Sequence, residues 1–179
     1  IEAADTTASN QRSCRGDLSP YSADTNTWVC DGSTLVNVSS LELVAGSISV
    51  SESDLQIMLL PALLNVTGDV TIYSNDDLAE VRMPALEEIG GNLEVSQHYS
   101  SGQLSDGFDM SSLRLVRGRV YFDYNYYIGG LDVSSLRLVG GDVYFYYNYY
   151  MSFASSGMRS LEEVGGYMNL YRSPSAYSC

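Results

Sequence analysis

Apolar residues recur along this chain in the same local order about every 23 residues. A leucine is followed three residues later by valine or isoleucine, then by a glycine, and then by two apolar residues at alternating positions. The unit reads L-x-x-V-x-G-x-V-x-F, and the steps between its leucines are 22, 23, 27, 23 and 25 residues. The anchor leucines are Leu41, Leu63, Leu86, Leu113, Leu136 and Leu161. The sequence therefore predicts a repeat protein of about six units.

The alternation after each glycine predicts a short β-strand. With a period of two, Val70 and Ile72 point to one side of the strand while Thr71 and Tyr73 point to the other. A second short apolar stretch precedes most anchors and ends at proline or a pair of serines, which are typical of turns. The predicted inward columns continue through Leu93/Val95, Val120/Phe122 and Val143/Phe145.

One such unit cannot bury its own apolar side, but stacked units can, at the strand spacing of about 4.8 Å. Two folds are built in this way, the parallel β-helix and the leucine-rich-repeat horseshoe. A horseshoe usually carries a helical segment on its convex side. Here the connecting stretches are short, β-branched and rich in serine and glycine. We therefore predict an all-β, parallel β-helix (solenoid) of about six coils over residues 35–179.

The first 34 residues are polar and do not fit the repeat, so we interpret residues 1–34 as an N-terminal cap. Trp28 is expected to cover the first coil. We expect a disulfide between Cys14 and Cys30, because it would close a short polar loop. Cys179 is left without a partner, and an odd cysteine in a secreted chain indicates pairing outside the visible sequence.

A polar column follows the strand in every unit, three residues after its last inward position. We predict that these residues lie at a turn, where stacked asparagine side chains hydrogen-bond with one another and with the backbone. The column consists of Ser53, Asn75, His98, Asn125, Asn148 and Ser173. His98 is therefore interpreted as a turn residue and not as a catalytic base, which would need a nucleophile and an orienting partner.

The charge of the chain narrows the choice of partners. The formal net charge is −13, all nine basic residues are arginine, and lysine is absent. Such an acidic surface repels phosphate, so we expect no nucleic acid as partner. No stretch approaches the roughly 20 apolar residues of a membrane helix, so we expect no membrane insertion. Two sequons, at Asn37 and Asn65, are candidate glycosylation sites and favour an extracellular location.

Two segments carry a resemblance to a known family. Residues 84–95 (PALEEIGGNLEV) and 160–170 (SLEEVGGYMNL) resemble receptor L-domain repeats. These repeats occur in the ectodomains of insulin and epidermal growth factor receptors and in fungal GPI-anchored cell-wall proteins, whose plainer repeats match better. The resemblance covers about Leu35 to Tyr171. It implies a right-handed, leucine-rich-repeat-like β-helix that is secreted and serves structure, adhesion or ligand recognition, without catalytic residues.

Tyrosines are the feature in which the chain departs most from that family. There are fifteen, and residues 121–127 (YFDYNYY) recur 23 positions later as residues 144–150 (YFYYNYY). Outward tyrosines at equivalent positions are expected to stack between coils. This arrangement either stabilises the coils or forms a binding face for a second copy, another extracellular protein or a glycan. The predicted face consists of Tyr121, Tyr124, Tyr126, Tyr127, Tyr144, Tyr146, Tyr147, Tyr149 and Tyr150.

Paired carboxylates could indicate catalysis, because some parallel β-helices cleave polysaccharides with such a pair. Glu87-Glu88 and Glu162-Glu163 repeat at equivalent positions, which favours solvated sites over a single catalytic pair. Acids such as Asp123 and Asp142 are expected to pair with a local group of arginines. That group consists of Arg114, Arg117, Arg119 and Arg137.

No cofactor, metal or catalytic site follows from these residues. The sequence favours an extracellular structural or adhesive repeat protein. The alternative is a ligand-binding ectodomain fragment of a surface receptor, and a more remote one is a β-helical enzyme that processes glycans.

Overall fold

In the computed structural model of the protein, residues 26–29, 35–53, 55–99, 104, 107–154 and 157–172 are described, the first four by their backbone only. The predictions for Cys14, Cys30, Ser173 and Cys179 lie outside these residues. All the regular secondary structure in the described residues is β-strand.

Nineteen short strands lie in this part of the chain. In chain order they are β1 (Asn26–Val29), β2 (Leu35–Asn37), β3 (Leu43–Val44), β4 (Gly46–Ser51), β5 (Ile57–Leu59), β6 (Asn65–Val66), β7 (Val70–Tyr73), β8 (Glu80–Arg82), β9 (Glu88–Ile89), β10 (Leu93–Ser96), β11 (Gly107–Asp109), β12 (Leu115–Val116), β13 (Val120–Asp123), β14 (Tyr127–Asp132), β15 (Leu138–Val139), β16 (Val143–Tyr146), β17 (Tyr150–Phe153), β18 (Glu163–Val164) and β19 (Met168–Tyr171).

The strands form three parallel sheets, and neighbours along the chain belong to different sheets. The first sheet has the order β1-β4-β7-β10-β13-β16-β19, the second β2-β5-β8-β11-β14-β17, and the third β3-β6-β9-β12-β15-β18. Each coil visits the first, second and third sheets and returns one strand further along the first. The protein is a parallel β-helix of about six coils, as predicted, and the described residues contain none of the helices that a horseshoe would carry.

The inward columns of the first sheet have the predicted register. Val70 lies beside Leu93 and Ile72 beside Val95, and the columns continue to Val120/Phe122 and Val143/Phe145. All of these side chains are buried, whereas Tyr121, between two of them, is only partly buried on the outside. A shift of register by one residue would have reversed this pattern.

The first sheet also continues into the segment predicted as a cap. The backbone of β1 pairs in parallel with β4, and Trp28 lies beside Ile48. This strand is therefore placed next to the first coil, where a covering segment would have to lie.

The bend that leads from the third sheet into the first brings successive coils unusually close. A Cβ atom added to Gly118 would lie 2.7 Å from the carbonyl oxygen of Gly91, and one added to Gly140 would lie 2.2 Å from the carbonyl oxygen of Arg117. Neither distance is compatible with a side chain, so the approach of the preceding coil requires glycine at these two positions.

Polar side chains just after this bend bind the backbone of the next coil. The Asp69 N–H donates to Ser47 Oγ at 2.9 Å, and the Asn92 N–H donates to Asp69 Oδ1 at 2.6 Å. The Arg119 N–H in turn donates to Asn92 Oδ1 at 2.9 Å. These bonds pair backbone donors that would otherwise be left unpaired where the chain bends.

The centre of the stack is apolar and contains packed phenylalanines. The rings of Phe122 and Phe145 lie parallel with centroids 5.0 Å apart, and Phe108 packs edge-on against Phe122 at 6.0 Å. All three are fully buried.

Replacing Phe145 with alanine should cost about 3–5 kcal/mol of unfolding free energy, because it opens a cavity beside Phe122. Chemical denaturation would measure the loss. Tyr144→Ala, on the outer side of the same strand, is the matched control and should cost about 1 kcal/mol. A loss below 1 kcal/mol for Phe145→Ala would contradict its central role.

Candidate functional site: a tyrosine corner on the β-helix

Tyrosines gather where each coil passes from the first sheet to the second. We call this surface the tyrosine corner. It consists of Tyr99, Tyr124, Tyr126, Tyr146, Tyr147, Tyr149, Tyr150 and Tyr171. Of the other predicted face residues, Tyr121 and Tyr144 lie further back on the first sheet, and Tyr127 begins β14 in register with Tyr150.

The chain turns this corner through one left-handed residue in every coil. The residues with this conformation are Glu52, Ser74, Gln97, Tyr124, Tyr147 and Arg172, with φ between 48° and 60°. Only glycine and asparagine adopt it easily, and a bulky side chain is an uncommon occupant. The tight turn directs these side chains outward, so Tyr124 and Tyr147 project from the apex of the corner.

Beneath the apex lies the predicted polar column, in which Asn75, His98, Asn125 and Asn148 are fully buried and Ser53 is half-buried. The Asn148 side-chain amide donates to the Phe122 carbonyl at 2.9 Å. The Asn125 amide donates both to the Val95 carbonyl and to Asn148 Oδ1, each at 2.9 Å. The predicted stacking of asparagines is confirmed for this pair. Each amide ties the corner of one coil to the strand of the coil before it.

His98 takes the place of an asparagine in this column. Its Nδ1 lies 3.0 Å from the Asn75 carbonyl oxygen, and its Nε2 lies 3.4 Å from the Ile72 carbonyl oxygen. The ring is fully buried. Because both nitrogens face backbone carbonyls of the coil before, the side chain joins the two coils at this corner. This agrees with the turn position predicted for His98.

The apex tyrosines form a stack with their neighbours. The rings of Tyr124 and Tyr147 are nearly parallel, with centroids 4.9 Å apart, as predicted. Tyr146 packs edge-on against Tyr147 at 4.5 Å and stacks on Tyr171 at 5.2 Å. Aromatic pairs of this geometry stabilise adjacent coils beyond their buried area.

A second group of rings lies on the side of the corner that faces the second sheet. Tyr126 contacts Tyr149 at 6.4 Å and packs edge-on against Tyr150 at 5.2 Å. Tyr99 belongs to the same column, because it follows His98 as Tyr126 follows Asn125. The predicted face omitted Tyr99 and Tyr171, although the column spacing in the sequence places both of them here.

Much of this aromatic surface remains accessible. Tyr99 and Tyr150 are each 58% exposed, Tyr149 is 50% exposed and Tyr124 is 40% exposed. A cluster of large exposed rings on a rigid sheet is typical of an interaction surface.

One cation already lies on the corner. The guanidinium carbon of Arg172 is 5.1 Å from the ring centroid of Tyr147 and 5.4 Å from that of Tyr171. These are cation–π distances. Arg172 also occupies the left-handed position that Tyr124 and Tyr147 hold in the two coils before it.

A buried carboxylate lies beside the corner at the end of β13. Asp123 Oδ2 accepts a hydrogen bond from the Tyr121 hydroxyl at 2.9 Å. Its Oδ1 is buried and has no hydrogen-bond donor among the described residues. Burial raises the pKa of Asp123; the Tyr121 hydroxyl and the nearby Tyr124 N–H oppose the rise, and Glu94 adds to it. Burial and the bond to Asp123 raise the pKa of Tyr121 to about 12, so this hydroxyl keeps its proton.

The arginines pair with carboxylates on other faces of the coils. Arg119 lies 3.6 Å from Asp142, as predicted. The expected arginine partner for Asp123 is wrong, since that residue is bound by Tyr121. The three remaining arginines of the predicted group each bind a glutamate: Arg114 with Glu87 at 3.7 Å, Arg117 with Glu88 at 2.6 Å and Arg137 with Glu162 at 2.7 Å.

A shallow groove of about 310 Å³ lies on the second sheet. Asp109 pairs in register with Arg82 on one side and with Asp132 on the other. Gly107 and Gly130 leave open space beside them. Sequence reasoning missed this carboxylate pair, although both aspartates precede the serine pair of their units. Each carboxylate accepts a hydrogen bond from a serine N–H two residues later, Asp109 from Ser111 at 2.9 Å and Asp132 from Ser134 at 3.0 Å.

The candidate glycosylation sites Asn37 and Asn65 are both exposed, as attachment of a glycan would require. Among the described residues, no group of three or more His, Cys, Asp or Glu side chains could hold a metal ion. That part of the chain also contains no helix long and apolar enough to cross a membrane.

Comparison of the chain with protein-family models, with curated proteins and with solved structures found no match. The resemblance to receptor L-domain repeats therefore stays a prediction, and the function has to be argued from the tyrosine corner itself.

The histidine in the buried column should make stability depend on pH. Burial lowers the pKa of His98, although its two backbone bonds and Asp76 oppose the shift. The unfolded chain then takes up a proton near pH 6.5 that the folded protein resists, so stability falls as the pH drops below about 6.5. Denaturation at pH 7.5 and at pH 5.5 would measure this loss.

His98→Asn is the matched control, because asparagine occupies this column in three other coils. It should lose less stability than the parent between the two pH values. An equal loss in both proteins would show that other groups dominate the acid sensitivity.

Asp123 should have the opposite effect on stability. Because its pKa is raised, the charged carboxylate destabilises the fold at neutral pH, and stability contributed by this group rises as the pH falls through the folded pKa. Asp123→Asn should therefore raise the melting temperature at pH 7.5, and the gain should shrink toward pH 4. Asp109→Asn, in the groove, is the control; a fall in melting temperature for Asp123→Asn would contradict the argument.

Proposed function

We propose that this protein is an extracellular structural or adhesive β-helix that binds a neighbouring molecule through its tyrosine corner. The observation that carries the proposal is the group of exposed, mutually packed tyrosines on one edge of a rigid stack. Tyrosine gives a large contact area with little loss of side-chain entropy, which suits a binding surface.

The position of the rings supports a binding role in addition to a stabilising one. A ring needed only to hold coils together could lie in the stack with Phe122 and Phe145, where it would be fully buried. The corner instead holds Tyr124 and Tyr147 in a left-handed conformation that disfavours bulky residues. It also leaves Tyr150 more than half exposed.

An extracellular location is part of the proposal and is supported by the exposed sequons at Asn37 and Asn65. The L-domain resemblance points to the same setting. The partner is a second copy, another extracellular protein or a glycan. Since each copy carries a charge of −13, contact between copies needs screening by salt and a strong apolar contribution.

The groove between Arg82 and Asp132 favours a second candidate function, a ligand-binding ectodomain. It combines both signs of charge with space left by glycines. Its openness and modest size make it a weaker candidate than the corner, because ligand sites usually enclose most of their ligand.

The decisive variant changes Tyr124, Tyr126, Tyr147 and Tyr149 together to serine. It should abolish concentration-dependent association, measured by light scattering. It should also abolish attachment to cell surfaces or extracellular material from the organism that makes the protein, measured by an adhesion assay. Circular dichroism should stay close to that of the parent, because the inward core is untouched.

A control variant carries four serine substitutions at similarly exposed apolar or aromatic positions outside the corner, at Leu43, Leu64, Leu138 and Tyr167. It should associate and adhere like the parent. If both variants behave alike, or if the parent neither associates nor adheres in calcium-containing buffer, the corner is not the contact surface.

A further inference from the structure

We infer that the tyrosine corner recognises arginine side chains of a basic partner protein, with one guanidinium seated on Tyr124 beside Asp123. This inference rests on the proposed function, since it names the partner chemistry of the same surface.

Arg172 shows how this corner holds a guanidinium. Its charged group lies over the rings of Tyr147 and Tyr171, and it caps a stack in which Tyr147 lies on Tyr124. The other end of that stack is the ring of Tyr124, which has Tyr147 on one face and is still 40% exposed. A second guanidinium on the ring face opposite Tyr147 would reproduce the contact that Arg172 makes. The planar guanidinium suits such stacking better than the ammonium group of lysine.

The side chain at the equivalent position of the preceding coil is bonded on the side away from Tyr124. Gln97 holds the equivalent left-handed position before Tyr124. Its Oε1 accepts a hydrogen bond from the Tyr73 hydroxyl at 3.0 Å, which draws the side chain toward the first sheet. The exposed ring of Tyr99 follows one residue after the polar column of the same coil and adds to the aromatic surface near Tyr124.

The charges around the position favour a cation. Asp123 presents a carboxylate whose Oδ1 has no donor among the described residues, and Glu94 is a second acid close to it. Five of the seven arginines in the described part form ion pairs elsewhere on the coils. A guanidinium over Tyr124 would give Asp123 a nearby counter-charge.

The Asp123 carboxylate also lowers the stability of the folded state. A buried carboxylate with one unpaired oxygen destabilises the folded state, and serine occupies the equivalent position in the coil before. A group that disfavours folding and lies in a cluster of exposed rings is a candidate for recognition.

The test uses the full chain and three blocked dodecapeptides in which serine alternates with arginine, lysine or glutamate. Isothermal titration calorimetry at 150 mM salt should show that the arginine peptide binds several-fold more tightly than the lysine peptide of equal charge. The glutamate peptide should not bind. Asp123→Asn and Tyr124→Ser should each weaken arginine-peptide binding about tenfold, whereas Tyr124→Phe should bind within about twofold of the parent.

Glu42→Gln removes one exposed carboxylate outside the corner and serves as the charge control. If it weakens binding as much as Asp123→Asn, or if the arginine and lysine peptides bind equally, the attraction is only general charge and the inference is overturned. The inference is also overturned if the arginine peptide does not bind, or if a neutral glucan hexamer binds and the arginine peptide does not.

The two proposals fail separately. If the four-tyrosine variant loses association but the arginine peptide does not bind the parent, the corner is still the contact surface and only the guanidinium position is overturned. If the four-tyrosine and control variants also behave alike, the proposed function falls as well.

Discussion

Successive coils have to approach to the spacing of hydrogen-bonded strands at every corner, and the rest of the structure depends on this distance. Glycine at the bend before the first sheet meets the requirement by leaving out the side chain, because the preceding carbonyl oxygen lies within 3 Å of any added Cβ at Gly118. Once the coils are this close, equivalent residues lie directly above one another. The side chains of each column therefore have to pack against those at the same position in the next coil.

The three corners meet this constraint in different ways. The bend into the first sheet uses glycine followed by polar side chains that bind the next backbone. The turn from the second sheet to the third closes, in five of the six coils, with a bond from the anchor leucine N–H to the carbonyl of the third residue before it, as in Leu86 to Met83 at 3.1 Å. The remaining corner uses a left-handed residue outside and a buried amide inside. The side chain at this left-handed position projects outward at the apex, and in two coils that side chain is a tyrosine.

Most of the fold could be predicted because the period of two and the repeat of about 23 residues constrain the same residues. Val120 and Phe122 had to face inward in every register that stacks with Val70 and Ile72. The sequence predicts the polar column as a turn but not the burial of its asparagines, because burial of an asparagine depends on which backbone carbonyl its amide reaches in another coil.

The candidate site was predicted less completely. Repeated tyrosines indicated stacking, yet the edge-on contact of Tyr126 with Tyr150 depends on ring rotamers that no sequence spacing encodes. Pairing of Asp123 with Tyr121 instead of an arginine follows from their position two residues apart on one strand face. The groove at Asp109 escaped notice for a related reason. Its shape comes from glycines on two neighbouring coils, and neither glycine is conspicuous alone.

The stacked arrangement also determines how the molecule would respond to force. Many of its bonds join residues one coil apart, from Asp69 to Ser47 across 22 positions to Asn125 and Val95 across 30. Tension along the stack axis would therefore open one coil at a time from an end, since each coil holds only its neighbours. The ring columns through Tyr124, Tyr147 and Arg172 cross two of these boundaries. A partner bound across those rings would join three coils into one mechanical unit, so the load needed to peel them apart would rise with occupancy of the corner.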